Sequence, residues 1–98
     1  MVRGNTISAV GFYGPQGREL RLPLAHPELN SLIEKFRYNG HKITNYEMES
    51  APLQGFAKML GHKAMTVCSI IANRMNHDAT PNYKNAINDL IATVLERI

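Results

Sequence analysis

The chain has 98 residues, 44% of them hydrophobic and 19% charged, with a formal net charge of +3. That length suits one domain spanning residues 1–98, and the apolar fraction excludes a disordered polyelectrolyte. The Lys and Arg residues are scattered rather than set in a basic stripe, and no segment carries the roughly 18 apolar residues of a membrane span, so neither nucleic acid nor a membrane is expected as a partner.

The first residues, MVRGNTIS, lack the apolar stretch of a signal peptide, so a soluble cytoplasmic protein is expected. Residues 6–13 (TISAVGFY) are rich in strand formers and lead into GPQG at 14–17, which is turn chemistry. Residues 18–24 alternate Leu20, Leu22 and Leu24 with polar neighbours, as a short strand or an extended loop would. Pro27 opens a helix whose Leu29, Leu32, Ile33 and Phe36 share one face, with an end predicted near Asn39-Gly40. Residues 42–47 predict a strand, and Leu53, Phe56, Ala57 and Leu60 predict a second helix closed by Gly61.

Residues 65–72 (MTVCSIIA) form a nearly continuous apolar run, as expected of a strand covered on both faces. Cys68, the single cysteine, lies inside it and reads as a buried, inert thiol. A loop over 77–83 and an amphipathic helix through Ile87, Leu90, Ile91, Val94 and Leu95 complete the chain. Strands alternating with helices predict an α/β fold with parallel strands, in which ligands sit at the carboxyl ends of strands. Three stretches, GFYGPQGR, NYEMES and IIANR, each directly follow a predicted strand.

The residue types in these stretches allow a chemical reading beside a structural one. Gln16 beside Arg18 offers an acceptor and several donors, a set able to read a planar amide-like edge, and Phe12 can wall it; a solvated polar turn needs the same residues. Glu47 and Glu49, at i and i+2, would face one side of an extended segment, and a carboxylate suits a vicinal diol. They equally suit a helix entry, with acids near the positive end of the dipole and Ser50 as its cap, and the two readings can hold together. Asn73 and Arg74 are explained by a site or by a strand emerging into solvent. His26, His41, His62 and His77 lack ligand spacing, so no metal is expected.

GFYGPQGR (11–18), ITNYEMES (43–50), GHKAMTVCSIIANR (61–74) and NAINDLIATVLERI (85–98) together resemble the C-terminal part of a nucleoside phosphorylase, most closely the uridine phosphorylases. The resemblance implies part of a three-layer α/β/α fold, a mixed sheet with helices packed on it. It also implies a base site in which Phe12 lies against uracil while Gln16 and Arg18 hydrogen-bond its edge. Ile71 and Ala72 would line the base pocket, and Arg74 would support the base-binding turn. Met48 and Glu49, with Glu47 beside them, would bind the ribose. Purine-acting relatives carry Asp where Ala72 stands, so the resemblance is to the pyrimidine branch.

The implied reaction is phosphorolysis: orthophosphate attacks the anomeric carbon and the base departs. Gln16 and Arg18 would be the catalytic residues, stabilising the leaving anion electrostatically. No cofactor is implied, orthophosphate is a co-substrate, and a homo-oligomer is expected. Members of the family are considerably longer, and their phosphate-binding turn and arginines precede the matched region. Arg3 matches none of these, so this chain is expected to hold the base and ribose sides without the phosphate side and to be inactive alone. Pro52 departs from the family in a helical first turn, where a missing N–H is tolerated. The alternatives are a nucleoside-binding or assembly module completed by another chain, and an unrelated small interaction domain.

Overall fold

The computed structural model describes residues 1–73 and 76–98, and divides them between two units, Met1–Thr66 and Val67–Ile98. The first unit contains β1 (Asn5–Ser8), α1 (Leu29–Lys35), β2 (Arg37–Tyr38), β3 (His41–Glu47) and α2 (Ser50–Met59). The second contains β4 (Ala72–Asn73), β5 (Asp78–Ala79) and α3 (Tyr83–Leu95). The fold is mixed α/β.

In the first unit, β3 is the middle strand of a sheet ordered β1-β3-β2. Its β-branched and aromatic residues Ile43, Thr44 and Tyr46 suit a half-buried pleated surface. It pairs parallel with β1 and antiparallel with β2, so the sheet is mixed. The parallel register carries an irregularity at Asn5/Thr6. There the Asn5 side-chain amide donates to the Tyr38 and His41 carbonyls at 3.2 and 2.9 Å, tying the start of β1 to the hairpin.

Asn39-Gly40 does not end α1 but turns the β2–β3 hairpin. Asn39 and Gly40 have φ of 49° and 76°, the left-handed pair that a two-residue hairpin turn requires, with Tyr38 opposite His41. The helix stops earlier, at Lys35, and the Arg37 guanidinium covers its end by donating to the Glu34 and Phe36 carbonyls at 2.8 and 2.7 Å. The loop alternative holds for residues 18–24, which form no strand.

The second predicted helix is α2, with Pro52 in its first turn. It ends in a Schellman motif: the His62 N–H donates to the Ala57 carbonyl at 2.7 Å and the Gly61 N–H to that of Lys58 at 3.3 Å.

The apolar run at 65–72 differs from expectation. Only Ala72 enters a strand, β4, which pairs antiparallel with β5. Residues 65–71 join no ladder, and a strand exists only where a neighbour takes its alternate N–H and C=O groups. Cys68 is half-buried rather than buried. The predicted loop at 77–83 includes β5 and the first residue of α3. Along α3, Ala86, Ile87, Leu90, Thr93 and Val94 are half-buried, the face expected from 3.6-residue periodicity, while Ile91 and Leu95 are exposed.

The most consequential feature of the fold is what it leaves uncovered. Among the described residues no apolar side chain is fully buried, and the single buried residue is Ser50. In the first unit the space where a core would close is a cleft of about 490 Å³, lined by Ile7, Ala9, Leu24, Leu29, Ile33 and Tyr46. The Tyr46 hydroxyl has no hydrogen-bond partner there, and desolvation raises its pKa above the ordinary phenol value. No helix among the described residues is long and apolar enough to cross a membrane.

Candidate functional site

Because β1 and β3 are parallel neighbours, the segments leaving their carboxyl ends emerge at the same end of the sheet. Ser8 lies opposite Glu47, and the Ala9 N–H donates to the Glu47 carbonyl at 2.8 Å, extending the ladder by one bond. The segment after β1 carries Phe12, Gln16 and Arg18, and the one after β3 carries Met48 and Glu49. Six of the nine residues singled out from the sequence therefore lie at the end of, or in the segments leaving, the two parallel strands.

The 11–18 segment is a closed turn. The Tyr13 carbonyl accepts the N–H groups of Gln16 and Arg18 at 3.1 and 3.0 Å, and the Gly14 carbonyl accepts that of Gly17 at 2.9 Å. Gly17 has φ of 68°, which favours glycine, and a Cβ there would also displace the Asn30 amide from its place against the turn. That amide holds the turn against α1 by donating to the Gln16 carbonyl at 3.3 Å.

The Arg18 guanidinium carbon lies 4.2 Å from the centre of the Tyr13 ring, and Phe12 meets Tyr13 edge-on with centroids 5.5 Å apart. Beside them the side-chain carbonyl of half-buried Gln16 has no hydrogen-bond partner. The turn thus combines a shielded, unsatisfied acceptor with a cation held over an aromatic ring and an exposed Phe12 face. A second, shallower cleft of about 360 Å³ runs along Gly14, Arg18, Leu20 and Leu22.

The corner after β3 is also built locally. The strand ends at Glu47 and the backbone is helical by Glu49, with φ −118° and ψ −23°, so the two carboxylates do not keep the i, i+2 relation of an extended strand. One oxygen of Glu47 accepts the N–H groups of Glu49 and Ser50 at 2.8 and 2.5 Å, and the other accepts the Ser50 hydroxyl. The expected Ser50 cap is thereby corrected. Ser50 is already the first helical residue, and Glu47 supplies the acceptor that the first amides of α2 need.

The Ser50 hydroxyl, the largest influence, holds the Glu47 carboxyl below the ordinary value against desolvation, the next largest, with smaller help from the amides of Glu49 and Ser50 and the Ser8 hydroxyl. Ser8 also accepts the Ala51 N–H at 3.2 Å, joining β1 to α2. Glu49 and Met48 are exposed, and the Met48 N–H donates to the Glu49 carboxylate at 3.2 Å.

The other three residues fall outside this unit. In the second unit Ala72 opens β4, and the Ile71 carbonyl accepts the Thr80 N–H at 2.8 Å. Arg74 lies outside the described residues. Sequence reasoning missed Ser8, Tyr13 and Asn30, which fasten the turn and the corner. The usable signals were a serine ending β1 and an aromatic pair immediately before the Gly-Pro turn. Among the described residues no cluster of three or more His, Cys, Asp or Glu could hold a metal ion.

No protein-family model matches the chain, and no solved structure matches it significantly.

Proposed function

We propose that the first unit carries the base- and ribose-binding residues of a uridine phosphorylase-like site, within a three-layer α/β/α arrangement of the phosphorylase type. One observation carries this reading: GFYGPQGR and YEMES follow parallel, hydrogen-bonded neighbours β1 and β3, and so share the carboxyl end of the sheet. Ligands of α/β sheets bind there.

Uracil has an N–H flanked by two carbonyls. The unsatisfied Gln16 carbonyl accepts the N–H, and the Arg18 guanidinium donates to a carbonyl. Phe12 supplies the apolar wall, Glu49 accepts the ribose hydroxyls and Met48 packs on the sugar. In phosphorolysis, orthophosphate attacks the anomeric carbon, the glycosidic bond breaks and its electron pair leaves with the base. Arg18 and Gln16 are placed to stabilise the resulting anion.

No residue of this chain is assigned to phosphate, so the chain binds nucleoside without turnover. Incubated with uridine and orthophosphate, the pure protein is expected to bind uridine in calorimetry and release no uracil. Phosphate-dependent uracil release would contradict the incomplete site. A second reading, an assembly module completed by another polypeptide, is favoured by the absence of any fully buried apolar side chain among the described residues.

A further inference from the structure

We infer that Glu47 is a positioning residue: its carboxylate clamps the corner between β3 and α2, so that the neighbouring Glu49 carboxylate, not its own, is presented to a bound diol. The inference rests on the proposed ribose site for the identity of the ligand, and on local geometry for the clamp itself.

The acceptors of Glu47 are already occupied. Its two oxygens take the Glu49 amide at 2.8 Å, the Ser50 amide at 2.5 Å and the Ser50 hydroxyl. Ser50 is the one buried residue among those described, so this is the best-shielded point of the unit. To bind a sugar hydroxyl, Glu47 would have to give up donors that have no other acceptor in the first turn of α2. Glu49 has no such commitment beyond the Met48 N–H at 3.2 Å, and it is exposed. The clamp also spans three elements. The Ala9 N–H binds the Glu47 carbonyl at 2.8 Å, and the Ser8 hydroxyl accepts the Ala51 N–H at 3.2 Å. The bases of both candidate loops are thereby fastened at one residue.

Glutamine replaces this carboxylate only in part: its oxygen can keep the two amides, but its amide nitrogen has to donate to the Ser50 hydroxyl, which must then turn its own proton elsewhere, and the charge on the acceptor is lost. Protonation has the same effect. Ser8 from β1 and Ser50 from α2 face the carboxylate without charge, and Glu49 is the other titratable group of the corner. Because the folded-state pKa is lowered, the clamp persists at the ordinary glutamate value and is lost as pH falls further, through the folded pKa.

Amide NMR of the full 98-residue chain tests the clamp without any variant. The Glu49 and Ser50 amides are expected to shift together, with a midpoint below the ordinary glutamate value. Independent or absent titration of the Glu49 and Ser50 amides would overturn the clamp. Calorimetry with uridine tests its purpose: Glu47→Gln is expected to weaken binding about tenfold, and Glu49→Gln more severely. Unchanged uridine affinity in Glu47→Gln would overturn the positioning role. Failure of the unaltered chain to bind uridine would overturn the ribose site, and the clamp would then stand or fall on the amide titration alone.

Discussion

In sedimentation the chain is expected to associate as its concentration rises, instead of remaining a monomer. It exposes 8462 Å² of surface. Two compact bodies of 66 and 32 residues, the sizes of its units, would together expose about 6,700 Å². The excess is roughly twice the ~800 Å² that each partner contributes to a standard protein interface.

The apolar stripe of α2 is the clearest part of it, with Leu53, Phe56 and Leu60 exposed by 52, 63 and 71% at helical spacing. Covering each of these withdraws roughly 1.5–3 kcal/mol of unfavourable hydration. The free edge of β1 adds unpaired backbone groups that invite another strand. Joint replacement Phe56→Ser and Leu60→Ser should therefore weaken association by about a hundredfold, read as a shift of the sedimenting mass towards the monomer. A monomer at every concentration would contradict this account of the exposed face.

Arg18→Ala is expected to lower uridine affinity by about 10- to 100-fold, while Arg3→Ala, which removes the same charge outside the site, leaves it unchanged. The size of the effect has two sources. Hydrogen bonds from a guanidinium to a carbonyl are charge-assisted, and stacking over Tyr13 at 4.2 Å restricts the side chain before any ligand arrives, so less ordering remains to be done on binding. Calorimetric titration of both variants checks this. Equal losses in the two would mean that net charge, not the turn, governs affinity.

The parts of the fold legible in the sequence are those fixed by local chemistry. The 14–17 turn, strand β3 and the closure of α2 at Gly61 depend on residues close in sequence and appear as expected, and so does α3 as a helix, although Ile91 and Leu95 of its expected apolar face are exposed. Asn39-Gly40 misled because the same dipeptide ends helices and turns hairpins; the choice fell to the pairing of Arg37 with Lys42 across it. The 65–72 run misled because apolar content says a segment can be buried without supplying the neighbour that makes it a strand. In the site, residue types could name Glu47 and Glu49 but not divide labour between them. That division depends on where β3 stops and on the Ser8 and Ser50 hydroxyls nearby, which is three-dimensional information.

The account turns on whether the segments after β1 and β3 read a ribonucleoside. Parallel calorimetric titrations of the chain with uridine and with 2′,3′-dideoxyuridine test this most directly, since the two ligands share the base and differ in the hydroxyls assigned to Glu49. The account predicts saturable binding of uridine and at least about tenfold weaker binding of the dideoxy compound. Equal affinity for both, or no binding of uridine, would contradict it.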